Sequence, residues 1–168
     1  VSRGWQLEVH KSRLRYSVWV LHRRAGKTHA LVMEAINTVL SVTLPNPRVA
    51  LIYPQRDQGR RAAWDLLKSI VVKIPEVSIR ETDLRIDFPN GGRIQIYGTG
   101  DSQYEAMRGQ YFDLACFDEY AHCDPAALPQ VVRPALSDRR GELIICGTPQ
   151  GRDHFYDMWT FAKGDDKW

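Results

Sequence analysis

Two short stretches carry side chains that could do chemistry together. The first is Gly26-Lys27-Thr28, reached from an apolar, β-branched segment at residues 16–21 through a basic turn, His22-Arg23-Arg24-Ala25. A helix-like run, HALVMEAINTVL, follows it. A buried strand that turns into a helix through Gly-Lys-Thr is one way to hold a nucleotide's phosphates. Backbone N–H groups at the helix N-terminus point at the anion, and the helix dipole favours negative charge there. Lys27 would then reach the β- and γ-phosphates, and the Thr28 hydroxyl would ligate Mg²⁺. Arg23 and Arg24 add fixed positive charge where phosphates would sit. The full phosphate-loop pattern also asks for a Gly at the position of Leu21. A plain strand, basic turn and surface lysine therefore stays open on these residues alone.

The second stretch is Asp118-Glu119, which closes the apolar run Leu114-Ala115-Cys116-Phe117. In a nucleotide triphosphatase, Asp118 would bind Mg²⁺, mostly through water, and Glu119 would orient or deprotonate the attacking water. Phosphoryl transfer asks the protein mainly for positioning and charge stabilisation. The bland alternative is an exposed acidic pair in a loop. A cation is also needed for charge growing on the γ-phosphate oxygens. Arg108, in the loop before the acidic strand, and Arg24, in the phosphate turn, are the candidates; Arg139 and Arg140 sit in an ordinary polar turn. A third strand-end turn, Gly147-Thr148-Pro149, follows ELIIC.

The elements that must position these groups can be read from periodicity. Residues 1–12 read as a loop or short helix. Leu31, Met33, Ala35, Ile36, Val39 and Leu40 give the helix after Thr28 an apolar side, which Pro45 and Pro47 end. RVALIY, residues 48–53, is a second buried strand. Residues 55–72 form a helix with Ala62, Ala63, Leu66, Leu67 and Ile70 inside and Arg56, Arg60, Arg61 and Lys68 on a solvated face. Residues 84–88 and 93–97 alternate around Pro89-Asn90-Gly91-Gly92, the pattern of a hairpin. Residues 98–110 read as a loop and 111–117 as a strand. A short helix over 125–136, a strand over 142–146 and a helix over 152–163 complete the chain. Short apolar strands alternating with helices predict a parallel, helix-covered sheet. Ligands bind such sheets beyond the strand C-terminal ends. Lys27-Thr28, Asp118-Glu119 and Gly147-Thr148 all follow such strands.

Composition sets the frame. The chain has 168 residues, 43% hydrophobic and 26% charged, with a formal net charge of +3. That is the profile of one globular domain with a proper core. The charge permits contact with a polyanion without demanding it. No apolar run approaches membrane-span length, and no signal peptide is visible. Three cysteines, Cys116, Cys123 and Cys146, form no disulfide framework and fit a reducing compartment. The His122-Cys123 pair lacks the spacing of a metal site.

Taken in order, the stretches HRRAGKT, LIYPQRDQGRRAAWDLLKSI, FPNGGRIQIYG, MRGQYFDLACFDEYA and IICGTPQGRDHFYDMW, with Gly4-Trp5-Gln6 upstream, make the chain resemble the ATPase domain of the large terminase subunit of tailed bacteriophages. No single motif is specific; the ordered set is. The resemblance implies an α/β P-loop NTPase of the ASCE type, with a mostly parallel central sheet flanked by helices and a β-hairpin insertion. It implies ATP and Mg²⁺ as ligands. Gln6 matches the family's adenine-contacting glutamine, with Trp5 beside it. Arg23, Arg24, Ala25, Gly26, Lys27 and Thr28 match a variant phosphate loop whose first Gly is often missing. Arg108 matches a finger acting on the neighbouring subunit's ATP. Gly147 and Thr148 resemble the coupling motif that senses the γ-phosphate.

The resemblance further implies a ring, commonly pentameric, fed by a small terminase subunit and docked on a portal protein, in the host cytoplasm at the procapsid. Double-stranded DNA is the implied cargo. Arg80, Arg85 and Arg93 near the hairpin, or Arg56, Arg60 and Arg61 on the second helix, could grip its backbone. Such contacts carry no sequence information and weaken with salt. Large terminases usually carry a second, RNase H-like nuclease domain. Residues 1–168 leave no length for it, so a single ATPase domain is expected, either isolated or cut from a longer chain. A helicase-like DNA translocase and a nucleotide-binding remnant without turnover are the competing readings.

Overall fold

The computed structural model describes residues 4–12, 14–166 and 168. The expectations placed on residues 1–3 and on Arg13 lie outside them. In chain order the elements are α1 (Gly4–Ser12), β1 (Tyr16–Val20), α2 (Lys27–Ser41), β2 (Arg48–Tyr53), a helix over residues 56–71 (α3), β3 (Ser78–Arg80), β4 (Arg85–Asp87), β5 (Arg93–Gly98), β6 (Leu114–Phe117), a helix over residues 128–137 (α4), β7 (Glu142–Gly147) and α5 (His154–Ala162).

One seven-stranded sheet runs in the order β1-β7-β6-β2-β5-β4-β3. The first five strands in that order pair in parallel, and β4 and β3 add an antiparallel edge. The parallel strands are apolar runs because helices cover both of their faces. On one face, Leu31, Ala35 and Val39 of α2 and Ala63, Trp64, Leu67 and Val71 of α3 pack on Val49, Leu51, Ile94, Ile96, Leu114 and Cys116. On the other, Leu128, Val131, Val132 and Leu136 of α4 and Phe155 of α5 pack on Ala50, Ile52, Ala115, Phe117, Leu143 and Ile145. Parallel pairing brings the C-terminal ends of β1, β2, β6 and β7 to one edge of the sheet. β7 lies between β1 and β6, so the turn after β1 and the acidic end of β6 flank the Gly147-Thr148 turn.

The structure departs from the sequence reading in several places. In α2, Met33 and Leu40 are 41% and 51% exposed, while Val32 is fully buried. The α2 face that meets the sheet is centred on Leu31, Ala35 and Val39, and Met33 and Leu40 fall to its sides. In α3, a π-helical turn at Arg60–Trp64 adds a residue to one turn. The buried face shifts to Ala63, Trp64, Leu67 and Val71, leaving Ala62 exposed. Strand β3 has three residues and too little apolar pattern to be read from sequence. Strand β6 starts only at Leu114, because Phe112 N–H donates to Ala135 O and the Asp113 carboxylate accepts from Arg48 N–H. Residues 98–110 contain 3₁₀ turns within Gly100–Met107, interrupted by left-handed Asp101 and Ser102, that bury Tyr104 and Met107. The hairpin pairs Asp87 with Arg93 and Ile86 with Ile94, and its second arm, β5, also pairs with β2 as a full member of the parallel sheet.

Candidate active site

Gly26 caps α2 with φ 91° and ψ 27°, a left-handed conformation open to a residue without Cβ. The first turn of α2 takes no cap from Gly26, which has no side chain. Its leading N–H groups therefore face the strand-end edge as donors for an anion. Arg24 is also left-handed, at φ 62°, so the turn is tight on both sides of the buried Ala25.

Lys27 is only 7% exposed, and its Nζ donates to Thr148 Oγ1 at 2.9 Å and to His22 O at 3.3 Å. Glu119 Oε1 lies 3.8 Å from the same Nζ. Thr28 Oγ1 donates to Asp118 Oδ2 at 2.8 Å, and Glu119 N–H donates to Asp118 Oδ1 at 3.0 Å. Asp118 is buried. Burial pushes its carboxyl above the ordinary carboxylate range; the Thr28 hydrogen bond opposes this and the nearby Glu119 charge adds to it. Glu119 itself holds φ 53° and ψ 46°. That left-handed backbone costs a non-glycine residue about 1–2 kcal/mol. Hard oxygen donors on a buried carboxylate and hydroxyl suit Mg²⁺, which is held by one or two such groups together with substrate phosphates and water.

The phosphate turn is braced from α1. Trp5 Nε1 donates to Ala25 O at 3.2 Å, and Gln6 Nε2 donates to Gly26 O at 3.0 Å. Trp5 also meets Trp19 edge to face, with ring centroids 6.2 Å apart. Gln6 and Trp5 thus lie against the turn, holding its carbonyls. Arg23 and Arg24 sit on the same turn with exposed side chains, and Gly147 O accepts from Leu21 N–H at 3.1 Å.

Other candidates lie elsewhere. Arg108 is 58% exposed and forms a fork-like pair with Glu105, at 2.6 and 2.8 Å. Among the described residues it makes no contact with Lys27, Asp118 or Glu119. Arg139 pairs with Asp113 at 3.0 Å, away from the strand-end edge. Arg56 and Arg60 tie α3 to the carbonyls of Thr82 and Glu81. Arg80, Arg85 and Arg93 converge on one carboxylate, Asp87, at 3.3, 3.0 and 2.8 Å. Burial would raise the Asp87 carboxyl, yet hydrogen bonds from Arg93 and Arg85 hold it below its usual value. The sequence reading did not single out Asp87 or Tyr53. In sequence Asp87 is one of the alternating polar positions of a hairpin, and Tyr53 is part of an apolar strand.

The sheet order, with a strand between the phosphate-turn strand and the acidic strand, and the strand–turn–helix at Lys27 define a P-loop NTPase fold. Comparison with known proteins narrows this. The chain belongs to the family of T4likevirus-type terminase large subunits, as their N-terminal part, whose model matches residues 21–167. The large terminase subunit of Thermus phage G20c is 25% identical over 174 residues, covering 94% of this chain and 36% of the relative. The chain thus spans about a third of the length of such curated relatives. Among solved structures, the large terminase ATPase domain of Thermus phage P74-26 superposes with a TM-score of 0.79 at 22% identity, over 94% of this chain and 68% of that one. The large terminase of another thermophilic bacteriophage, solved in complex with ADP, superposes with a TM-score of 0.80 at 19% identity, over 99% of this chain and 44% of that one. At these identities the superpositions speak for the fold.

Proposed function

We propose that this chain is a motor ATPase domain that hydrolyses ATP to drive double-stranded DNA into a viral procapsid. The observation that carries the reading is the meeting of Thr28 with Asp118 at 2.8 Å beside the buried Lys27. A lysine, a hydroxyl and two acids from separate strand ends then surround the uncapped start of α2. The large terminase of a thermophilic bacteriophage that shares this fold was solved in complex with ADP, which supports a nucleotide site.

Lys27 and the N–H groups at the start of α2 would bind the β- and γ-phosphates. Thr28 and Asp118 would hold Mg²⁺, which would neutralise phosphate charge when bound. Glu119 would orient water for in-line attack on the γ-phosphorus and take its proton. The bond from the γ-phosphorus to the β–γ bridging oxygen breaks, leaving ADP and inorganic phosphate. Gln6 and Trp5 would adjoin the base and hold the turn. Gly147 and Thr148, with Thr148 already bonded to Lys27, would pass the state of the phosphates to the rest of the domain. Arg24 supplies positive charge within the turn. Arg108, exposed and paired with Glu105, suits a finger reaching a neighbour's ATP in a ring.

The reading takes residues 1–168 as one ATPase domain. It places the domain in a ring of copies, commonly five, on a portal protein with a small terminase subunit, in the host cytoplasm. No helix among the described residues is long and apolar enough to cross a membrane. The test is ATP hydrolysis with and without double-stranded DNA. DNA should raise turnover and Lys27→Ala should abolish it. Equal turnover in Lys27→Ala would remove the site from the reaction.

A further inference from the structure

Tyr53 closes β2, and its hydroxyl is buried without a hydrogen-bond partner. A buried hydroxyl left unpaired is costly, and native structures rarely tolerate one without a reason. Packing does not supply the reason, since Phe would fill the same space without burying an oxygen. The chain also makes room for the ring. A Cβ added at Gly59, inside α3, would lie 2.6 Å from Tyr53 Cδ2, so that helix approaches the ring closely only because the position is glycine.

The ladder fixes which way the side chain faces. Ile52 pairs with Phe117, and Asp118 N–H donates to Ile52 O at 2.9 Å, so Tyr53 and Asp118 are the next neighbours along β2 and β6. Val49, Leu51 and Tyr53 share the α2-covered face, with Ala50 and Ile52 on the other. Thr28, at the start of α2, reaches Asp118 across this edge. A phenol is protonated at neutral pH, so the hydroxyl has a proton to donate.

We propose that the Tyr53 hydroxyl is a positioning group for the cation held by Thr28 and Asp118, donating to a water of the cation's hydration shell. This rests on the nucleotide-site reading given above. Mg²⁺ keeps several waters when bound through one or two carboxylates, and outer-shell partners of this kind tune metal affinity. The hydroxyl then finds its partner only when the cation is present, which accounts for an orphaned oxygen at this place in the fold.

The test titrates Mn²⁺ into the chain with ATP-γ-S, following free Mn²⁺ by electron paramagnetic resonance, for the unsubstituted chain, Tyr53→Phe and Asp118→Asn. Thermal unfolding without ligand is measured in parallel. Tyr53→Phe should weaken Mn²⁺ binding about three- to tenfold, the effect of one hydrogen bond. Its ligand-free melting temperature should be unchanged or higher. Mn²⁺ affinity within about twofold of the unsubstituted chain, the scatter below a single hydrogen bond's effect, would overturn the proposal. So would a fall in ligand-free stability, which would put the hydroxyl in the packing. If Asp118→Asn also leaves Mn²⁺ binding unchanged, the nucleotide-site reading fails with it; if only Tyr53→Phe is silent, that reading stands and this inference falls.

Discussion

Thr28 and Asp118, 90 positions apart in the chain, meet with the Thr28 hydroxyl donating to Asp118 Oδ2 at 2.8 Å. The contact spans two strand ends with β7 between them. It joins the helix that follows the phosphate turn to the strand that ends in two acids. It also buries a carboxylate whose ionised form the interior disfavours.

That burial makes a pH prediction. Desolvation raises the Asp118 carboxyl above its ordinary 3.8. Stability linked to the group is therefore fully present below about 3.8 and is lost as pH rises through the elevated folded value. Asp118→Asn removes the buried charge. At neutral pH without ligand its melting temperature should equal or exceed that of the unsubstituted chain, with the difference vanishing toward acid. Mg²⁺-dependent nucleotide binding should fall about tenfold or more. Thermal scans across pH, paired with titration calorimetry, check both arms.

Glu119 stands 3.8 Å from Lys27 on a left-handed backbone. Glu119→Gln keeps the shape and removes the base. Nucleotide affinity should stay within a few-fold while turnover drops about 10²- to 10⁴-fold, the usual reach of a general base. Single-turnover hydrolysis separates the two effects. Retained turnover would move the base elsewhere.

The brace from α1 is a second stability claim. Trp5→Phe removes the 3.2 Å hydrogen bond to Ala25 O while leaving an aromatic ring against Trp19. Denaturant unfolding should show a loss of about 1 kcal/mol. Nucleotide affinity should weaken a few-fold, because the turn carbonyls lose one of their two anchors on α1.

Asp87 gathers Arg80, Arg85 and Arg93 on the antiparallel edge. The two hydrogen-bonded arginines outweigh burial and hold its carboxyl low. The stability it contributes is present above about 3.8, its ordinary value, and is lost as pH falls through the lower folded value. Asp87→Asn should therefore be destabilising at neutral pH, with the difference shrinking in acid. If the three arginines meet DNA, replacing any one by Ala should weaken binding equally across sequences and lower the salt slope by about one. Fluorescence anisotropy at several salt concentrations reads this.

Much of the fold could be read from the chain because buried parallel strands are continuous apolar runs. RVALIY and ELIIC are strands in the structure with nearly the limits that pattern gave. The three chemistry-bearing turns were placed at one edge by the strand–helix alternation alone, and Lys27, Thr28, Asp118, Glu119 and Thr148 are in contact there. What escaped was set by tertiary context. A π turn at Arg60–Trp64 changes which side of α3 faces inward, and nothing local announces it. Ser78–Arg80 is a strand because β4 offers it an edge. The pairing of Arg108 with Glu105 is local, yet any neighbour that Arg108 would serve is not written in this chain's own contacts. Tyr53 ends an aliphatic strand, and no local pattern in the sequence marks its hydroxyl.

The most direct test of the central claim is a crystal structure of the chain with Mg²⁺ and a non-hydrolysable ATP analogue. The account predicts the γ-phosphate at Lys27 Nζ, the cation against Thr28 Oγ1 and Asp118, and Glu119 facing the γ-phosphorus. Nucleotide bound elsewhere, with Lys27 and Asp118 contacting neither phosphate nor metal, would contradict it.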